Sequence, residues 1–219
     1  METGREIADG LIDLYKRGID RTRIRENLAL TSEERLRRLQ DLQRFVHEVR
    51  KSGERARRRR PLKTCEPLLR SLAGRGVEFL LIGDVAALHH GSMRSGCDVE
   101  ILYRATPANV RRLVRALAPL QPRTRAATPG RADTAAFLRE RSVELATDAG
   151  PIDCHRRVAG IPAYDVVRRR AVEAHVFDIP CRFLSLDDLI AAMRRSTRLQ
   201  DLDTAAELET IREQRRHRK

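Results

Sequence analysis

The stretch Gly76–Arg104, GVEFLLIGDVAALHHGSMRSGCDVEILYR, decides how this chain is read. It holds two short apolar runs. The first, Val77 to Ile82, stops at Gly83-Asp84, and the second carries Asp98 and Glu100 among Val99, Ile101 and Leu102. Between them Val85 to Ser92 is rich in small residues, fits two helical turns and closes at Gly91. The pattern predicts strand, glycine turn, short helix, loop, strand. Acids two apart on a strand project from one face, which suits the holding of a metal cation.

The composition sets the frame. The chain has 219 residues, enough for one ordinary domain and an appendage, with 41% hydrophobic, 34% charged and 4% aromatic residues. A net charge of +13 favours a polyanionic partner. An arginine-rich solvated surface accounts for the charge nearly as well. Cys65, Cys97, Cys154 and Cys181 are far apart and form no CxxC pair, which argues for buried thiols and against structural zinc or a disulfide framework. The start, METGREIADG, has no apolar signal core, and no run approaches a membrane span, so a cytoplasmic location is expected.

Ile7, Leu11, Leu14 and Tyr15 show a modest helical period. Thr31 with Glu34 three positions on is a capping-box signal, and Leu36, Leu39, Leu42, Val46 and Val49 form the stripe of an amphipathic helix ending at Ser52-Gly53. ERARRRRP, Glu54 to Pro61, reads as a solvated linker able to touch phosphate, and divides a helical arm over 1–60 from a domain over 61–219. Within that domain a short helix over Thr64–Leu72 precedes the opening stretch. Thr106-Pro107 then starts a helix that ends before Pro119. Gln121–Gly130 reads as a loop and Ala132–Leu138 as a helix; Val143–Thr147 and Ile152–Val158 read as strands. A helical segment from Pro162 through Val167 follows. Ala174–Phe177 and Cys181–Leu184 form a hairpin around Asp178-Ile179-Pro180, and Ser185 caps SLDDLIAAMRR with Asp188 as the capping-box acid. A basic helical tail closes the chain. The fold class is therefore α+β, a small mixed sheet flanked by helices behind an N-terminal helical arm.

Gly83-Asp84, thirteen further residues and then Asp98-Val99-Glu100-Ile101 resemble the nucleotidyltransferase signature of the DNA polymerase β-like superfamily. The run from about Leu68 to Asp201, with HHGS, SLDDLI and RLQDL, is similar to the AbiEii-like branch of abortive-infection toxins, and the arm GIDRTRIRENLALTSEERLRRLQ resembles arms found beside such domains. The resemblance implies transfer of a nucleoside monophosphate from a nucleoside triphosphate to RNA, such as tRNA, or to a protein hydroxyl, and a cognate antitoxin as partner. It implies two Mg²⁺ ions held by Asp98, Glu100 and Asp153, with Asp98 bridging both and Asp153 orienting or deprotonating the acceptor hydroxyl. Gly83 and Asp84 would meet the triphosphate at the turn. Ser92 would add a hydroxyl, and Arg94 or Arg194 a phosphate contact. Asp84 departs from the pattern, which has a small residue there, so a catalytically degenerate fold that binds RNA or protein is the alternative. Paired His89-His90 invites a metal or base reading, but a hydrogen-bonded structural role suits it better. Cys154-His155 is not expected to act as a dyad, because strand neighbours face opposite ways.

Overall fold

The computed structural model describes residues 16, 19, 21–53, 65–93, 98–125 and 133–216, with the backbone alone over 43–53. The expected opening helix through Ile7 and Tyr15, the Glu54–Pro61 linker, Arg94 and Cys97 lie outside the described residues. Among the described residues no helix is long and apolar enough to cross a membrane.

Among the described residues seven strands form one mixed sheet, in the order β3-β4-β5-β2-β1-β7-β6. They are β1 (Phe79–Ile82), β2 (Val99–Tyr103), β3 (Arg123–Thr124), β4 (Ser142–Thr147), β5 (Gly150–His155), β6 (Val172–Val176) and β7 (Ile179–Phe183). The centre is parallel where β2 meets β5 and β1 meets β7, and antiparallel between β1 and β2. All four residues of β1 are buried, as a central strand covered on both faces requires. The nine helices described are α1 (Arg21–Leu28), α2 (Ser32–Gly53), α3 (Glu66–Gly74), α4 (Gly83–His89), α5 (Pro107–Leu117), α6 (Thr134–Arg139), α7 (Tyr164–Val167), α8 (Leu186–Met193) and α9 (Leu199–Arg216).

Local chemistry starts most of these elements where the sequence signals them. The Thr31 hydroxyl accepts from the Glu34 N–H while the Glu34 carboxylate accepts from the Thr31 N–H, a reciprocal cap for α2. Thr106 accepts from the Asn109 N–H at the start of α5. Three readings change. A short strand, β3, sits where a loop was expected, because two residues suffice to pair with Leu145 and Ala146 of β4 but are too few to show a period. The hairpin turns at Phe177-Asp178, both at positive φ, so that Pro180 lies inside β7 opposite His175. Asp188 does not reach back to the backbone of Ser185; it accepts the Ser185 hydroxyl and two N–H groups of Arg170.

Three polar side chains, the buried Asn109 and His90 and the half-buried His89, tie the architecture together. Asn109 accepts from the Glu78 N–H at 2.7 Å and donates to the carbonyls of Glu78 and Arg104 at 2.9 Å each, joining the entry of β1 to the exit of β2. His89 stacks on Phe183 with ring centroids 4.0 Å apart and shares a 2.6 Å hydrogen bond with the Ser32 hydroxyl. His90 bonds the Leu184 carbonyl at 2.8 Å. Burial drives both imidazoles down from 6.5, His89 to about 3 and His90 to about 4, with neighbouring cationic groups adding to the shift.

Replacing Asn109 by alanine strands the Glu78 N–H and leaves the carbonyls of Glu78 and Arg104 with one backbone donor each, and is expected to cost about 2 kcal/mol in denaturant unfolding. The histidines predict a pH dependence. The unfolded chain takes up two protons near pH 6.5 that the folded chain refuses, so their contribution is whole above about pH 6.5 and is lost as pH falls towards 4. Melting temperature should fall across that window, and His89→Gln should reduce the slope by about half.

Candidate active site

Strand β1 runs straight into α4 at Gly83, whose φ of +58° is one that glycine adopts without strain. A Cβ there would lie 2.5 Å from Cδ of Glu100 and 2.7 Å from each carboxylate oxygen. The missing side chain is the space the Glu100 carboxylate fills. Register delivers that carboxylate, since Glu100 pairs with Ile82 on one side and with Asp153 on the other. Glu100 and Asp153 thus stand side by side on adjacent parallel strands.

Above Glu100 opens a cavity of about 340 Å³. Its lining includes the acids Asp84, Glu100 and Asp201 and the bases Arg141, Arg157, Arg195 and Arg198. One wall is the loop after β5, held against α8 by Gly160, where a Cβ would come within 2.4 Å of the Ala191 carbonyl oxygen. Burial, and then the carboxylates of Asp84, Asp153 and Asp201, push Glu100 up to about 7; Arg198 pulls the other way. His155 also lines the cavity, its proton affinity lowered chiefly by burial, while Cys154 faces the core with no exposure. Several other described arginines are committed to acids: Arg70 to Glu66, Arg104 to Glu78 and Asp165, Arg170 to Asp188, Arg212 to Asp187. Among the described residues, none of the four cavity arginines has a carboxylate within 4.0 Å.

The structure brings only some of the sequence-nominated residues together. Gly83, Asp84 and Glu100 meet at the cavity. Asp153 is beside Glu100 but takes the Arg125 guanidinium, which the short strand β3 delivers. Asp98 is exposed, one residue before β2. Ser92 is fully buried and donates its hydroxyl to Glu207 at 2.6 Å, outside this cavity. Arg194 turns to Glu209 at 2.5 Å, leaving the cavity to Arg195 and Arg198 beyond it. Asp201, His155, Arg141 and Arg157 were not nominated. Asp201 lies within RLQDL, and His155 shares the strand parity of Asp153; the two arginines have no local signal.

The donor chemistry fits a divalent cation. The carboxylates of Asp84, Asp153 and Asp201 act on Glu100, and the Nε2 of His155 is buried without a hydrogen-bond partner among the described residues. Among the described residues no three His, Cys, Asp or Glu side chains form a ready-made metal cage. Mg²⁺ keeps waters and takes substrate phosphates, so it asks few donors of the protein.

No family model matches this chain, and no curated protein does. A comparison with solved structures finds the antibiotic-resistance factor ANT(2″)-Ia in its solution structure, with a TM-score of 0.42 and 14% identity, covering 70% of this chain and 89% of that one. The likeness is too loose for that protein to speak for this site.

Glu100 in its ionised form weighs against folding. Its folded value of about 7 lies above the ordinary 4.5, so its contribution is whole below pH 4.5 and is lost as pH rises through 7. Glu100→Gln should therefore raise stability at pH 8 by about 2 kcal/mol and leave it unchanged at pH 4, as read by melting at the two pH values.

Proposed function

We propose that the chain is a nucleotidyltransferase that carries a nucleoside monophosphate from a triphosphate to a hydroxyl of RNA, such as tRNA, or of a protein. The observation that carries this reading is the cavity itself: a half-buried carboxylate seated under a glycine turn, in a cavity also lined by four arginines that have no carboxylate within 4.0 Å among the described residues. Arginine pairs with phosphate oxygens through charged, often bidentate hydrogen bonds, and a triphosphate supplies the anions. The acceptor oxygen would form a bond to the α-phosphorus as the bond to the β-phosphate oxygen breaks, releasing pyrophosphate; Asp153 would take the hydroxyl proton. Asp98, Glu100 and Asp153 would hold the Mg²⁺ ions, which when bound neutralise charge on the attacking and leaving oxygens. The net charge of +13 favours RNA as acceptor. Likeness to abortive-infection toxins rests on HHGS, SLDDLI and RLQDL, and carries with it the expectation of an antitoxin.

A second reading has its own observation. Asp84 adds a negative charge beside Glu100 where a triphosphate would approach, which suits a degenerate fold that binds RNA or protein without transfer.

The chain, Mg²⁺, total RNA and each α-labelled triphosphate should yield labelled RNA. Arg198→Ala should raise the triphosphate KM roughly tenfold, with a smaller change in kcat. No label on RNA or protein, under conditions in which an active transferase labels, would remove the enzyme. A triphosphate-induced rise in melting temperature seen only in Asp84→Gly would establish the degenerate reading.

A further inference from the structure

His155 has no part in the chemistry above. It closes β5 two residues after Asp153, so the pleat returns its imidazole to the face that carries Asp153 and Glu100. The ring lines the same cavity. Its Nε2 is shielded from solvent and has no hydrogen-bond partner among the described residues. The carboxylate oxygen it faces, Oε2 of Glu100, is 3.9 Å away, too far for a hydrogen bond. Buried polar atoms in proteins are rarely left alone; water or an ion satisfies those that find no protein partner. Metal–nitrogen and metal–oxygen bonds of about 2.0–2.2 Å each can span such a gap through one cation.

We infer that His155 and Glu100 together ligate one divalent first-row transition cation, so that this cavity prefers such a cation to Mg²⁺. The inference uses the same cavity as the transferase reading but specifies a different ion. Imidazole nitrogen suits first-row transition ions, whereas Mg²⁺ favours an all-oxygen shell. An imidazole nitrogen beside a half-buried carboxylate is a mixed donor set that Mg²⁺ uses poorly. Two protein donors leave the remaining positions to water and to phosphate oxygens.

The test titrates Mn²⁺ into the metal-free full chain and follows it by electron paramagnetic resonance. One Mn²⁺ should bind per chain, and a tenfold excess of Mg²⁺ should fail to displace it. The electron spin echo of the bound ion should carry nitrogen modulation that converts to the ¹⁵N pattern when histidine is ¹⁵N-labelled, a readout that needs no mutation. His155→Gln should lose that modulation and bind Mn²⁺ roughly tenfold or more weakly, with Mg²⁺ affinity within twofold of the wild type. Absence of Mn²⁺ binding, absence of nitrogen modulation in the wild type, or modulation unchanged in a folded His155→Gln would each overturn the assignment. Label transfer with Mg²⁺ but no nitrogen coupling would keep the transferase and remove His155 as ligand. Nitrogen-coupled Mn²⁺ without label transfer would do the reverse.

Discussion

The contact between Gly83 and the Glu100 carboxylate is the constraint on which the candidate site depends. Any side chain at position 83 would occupy the carboxylate's place, and the positive φ there penalises a replacement independently of space. Because the chain turns so tightly from β1 into α4, the strand carrying Glu100 can pair along the whole of β1 and still leave its acid beneath the turn. Burial in that position then raises the proton affinity of Glu100, and three neighbouring aspartates raise it further. The site holds an electrostatic cost that folding alone has no reason to keep, the kind of local conflict expected where a ligand completes the balance.

Charge is distributed in a way the overall excess does not convey. Around the sheet's periphery arginines meet acids in pairs, many of them exposed and worth little individually. The cavity is lined by acids and arginines together, with Arg198 just before α9 and Asp201 in its first turn. Such a mixed lining would suit a ligand that carries both a cation and phosphates. Arg125 reaches Asp153 and comes within 4.0 Å of Glu144.

The N-terminal helices and α9 act on the same segment from two sides. Asn27 donates to the carbonyls of Gly91 and Ser92, and Arg35 donates to those of Asn27 and His89. From α9 the buried Glu207 accepts the Ser92 hydroxyl and the Met93 N–H. These bonds anchor the start of the connection that leads to Asp98. The helical arm is thereby packed onto α4, whose first residue is Gly83, and its boundary with the domain over 61–219 remains a proposal drawn from the Glu54–Pro61 charge run.

What the sequence determined by itself was local: the glycine turn after an apolar run, the period-two acids, the caps at Thr31, Thr106 and Ser185, and the parity that separates Cys154 from His155. Each depends on spacing along one element, where 2.0 and 3.6 residue periods are legible. The neighbouring placement of Glu100 and Asp153 came from sheet register. Arg125 reached Asp153 through a two-residue strand with no sequence signature. The opposite fates of Arg194 and Arg195 were decided by α9, which supplies Glu209 to one and an open cavity to the other. Only the tertiary structure could sort these, because arginines of equal local character differ solely in which acid, or none, the fold brings within reach.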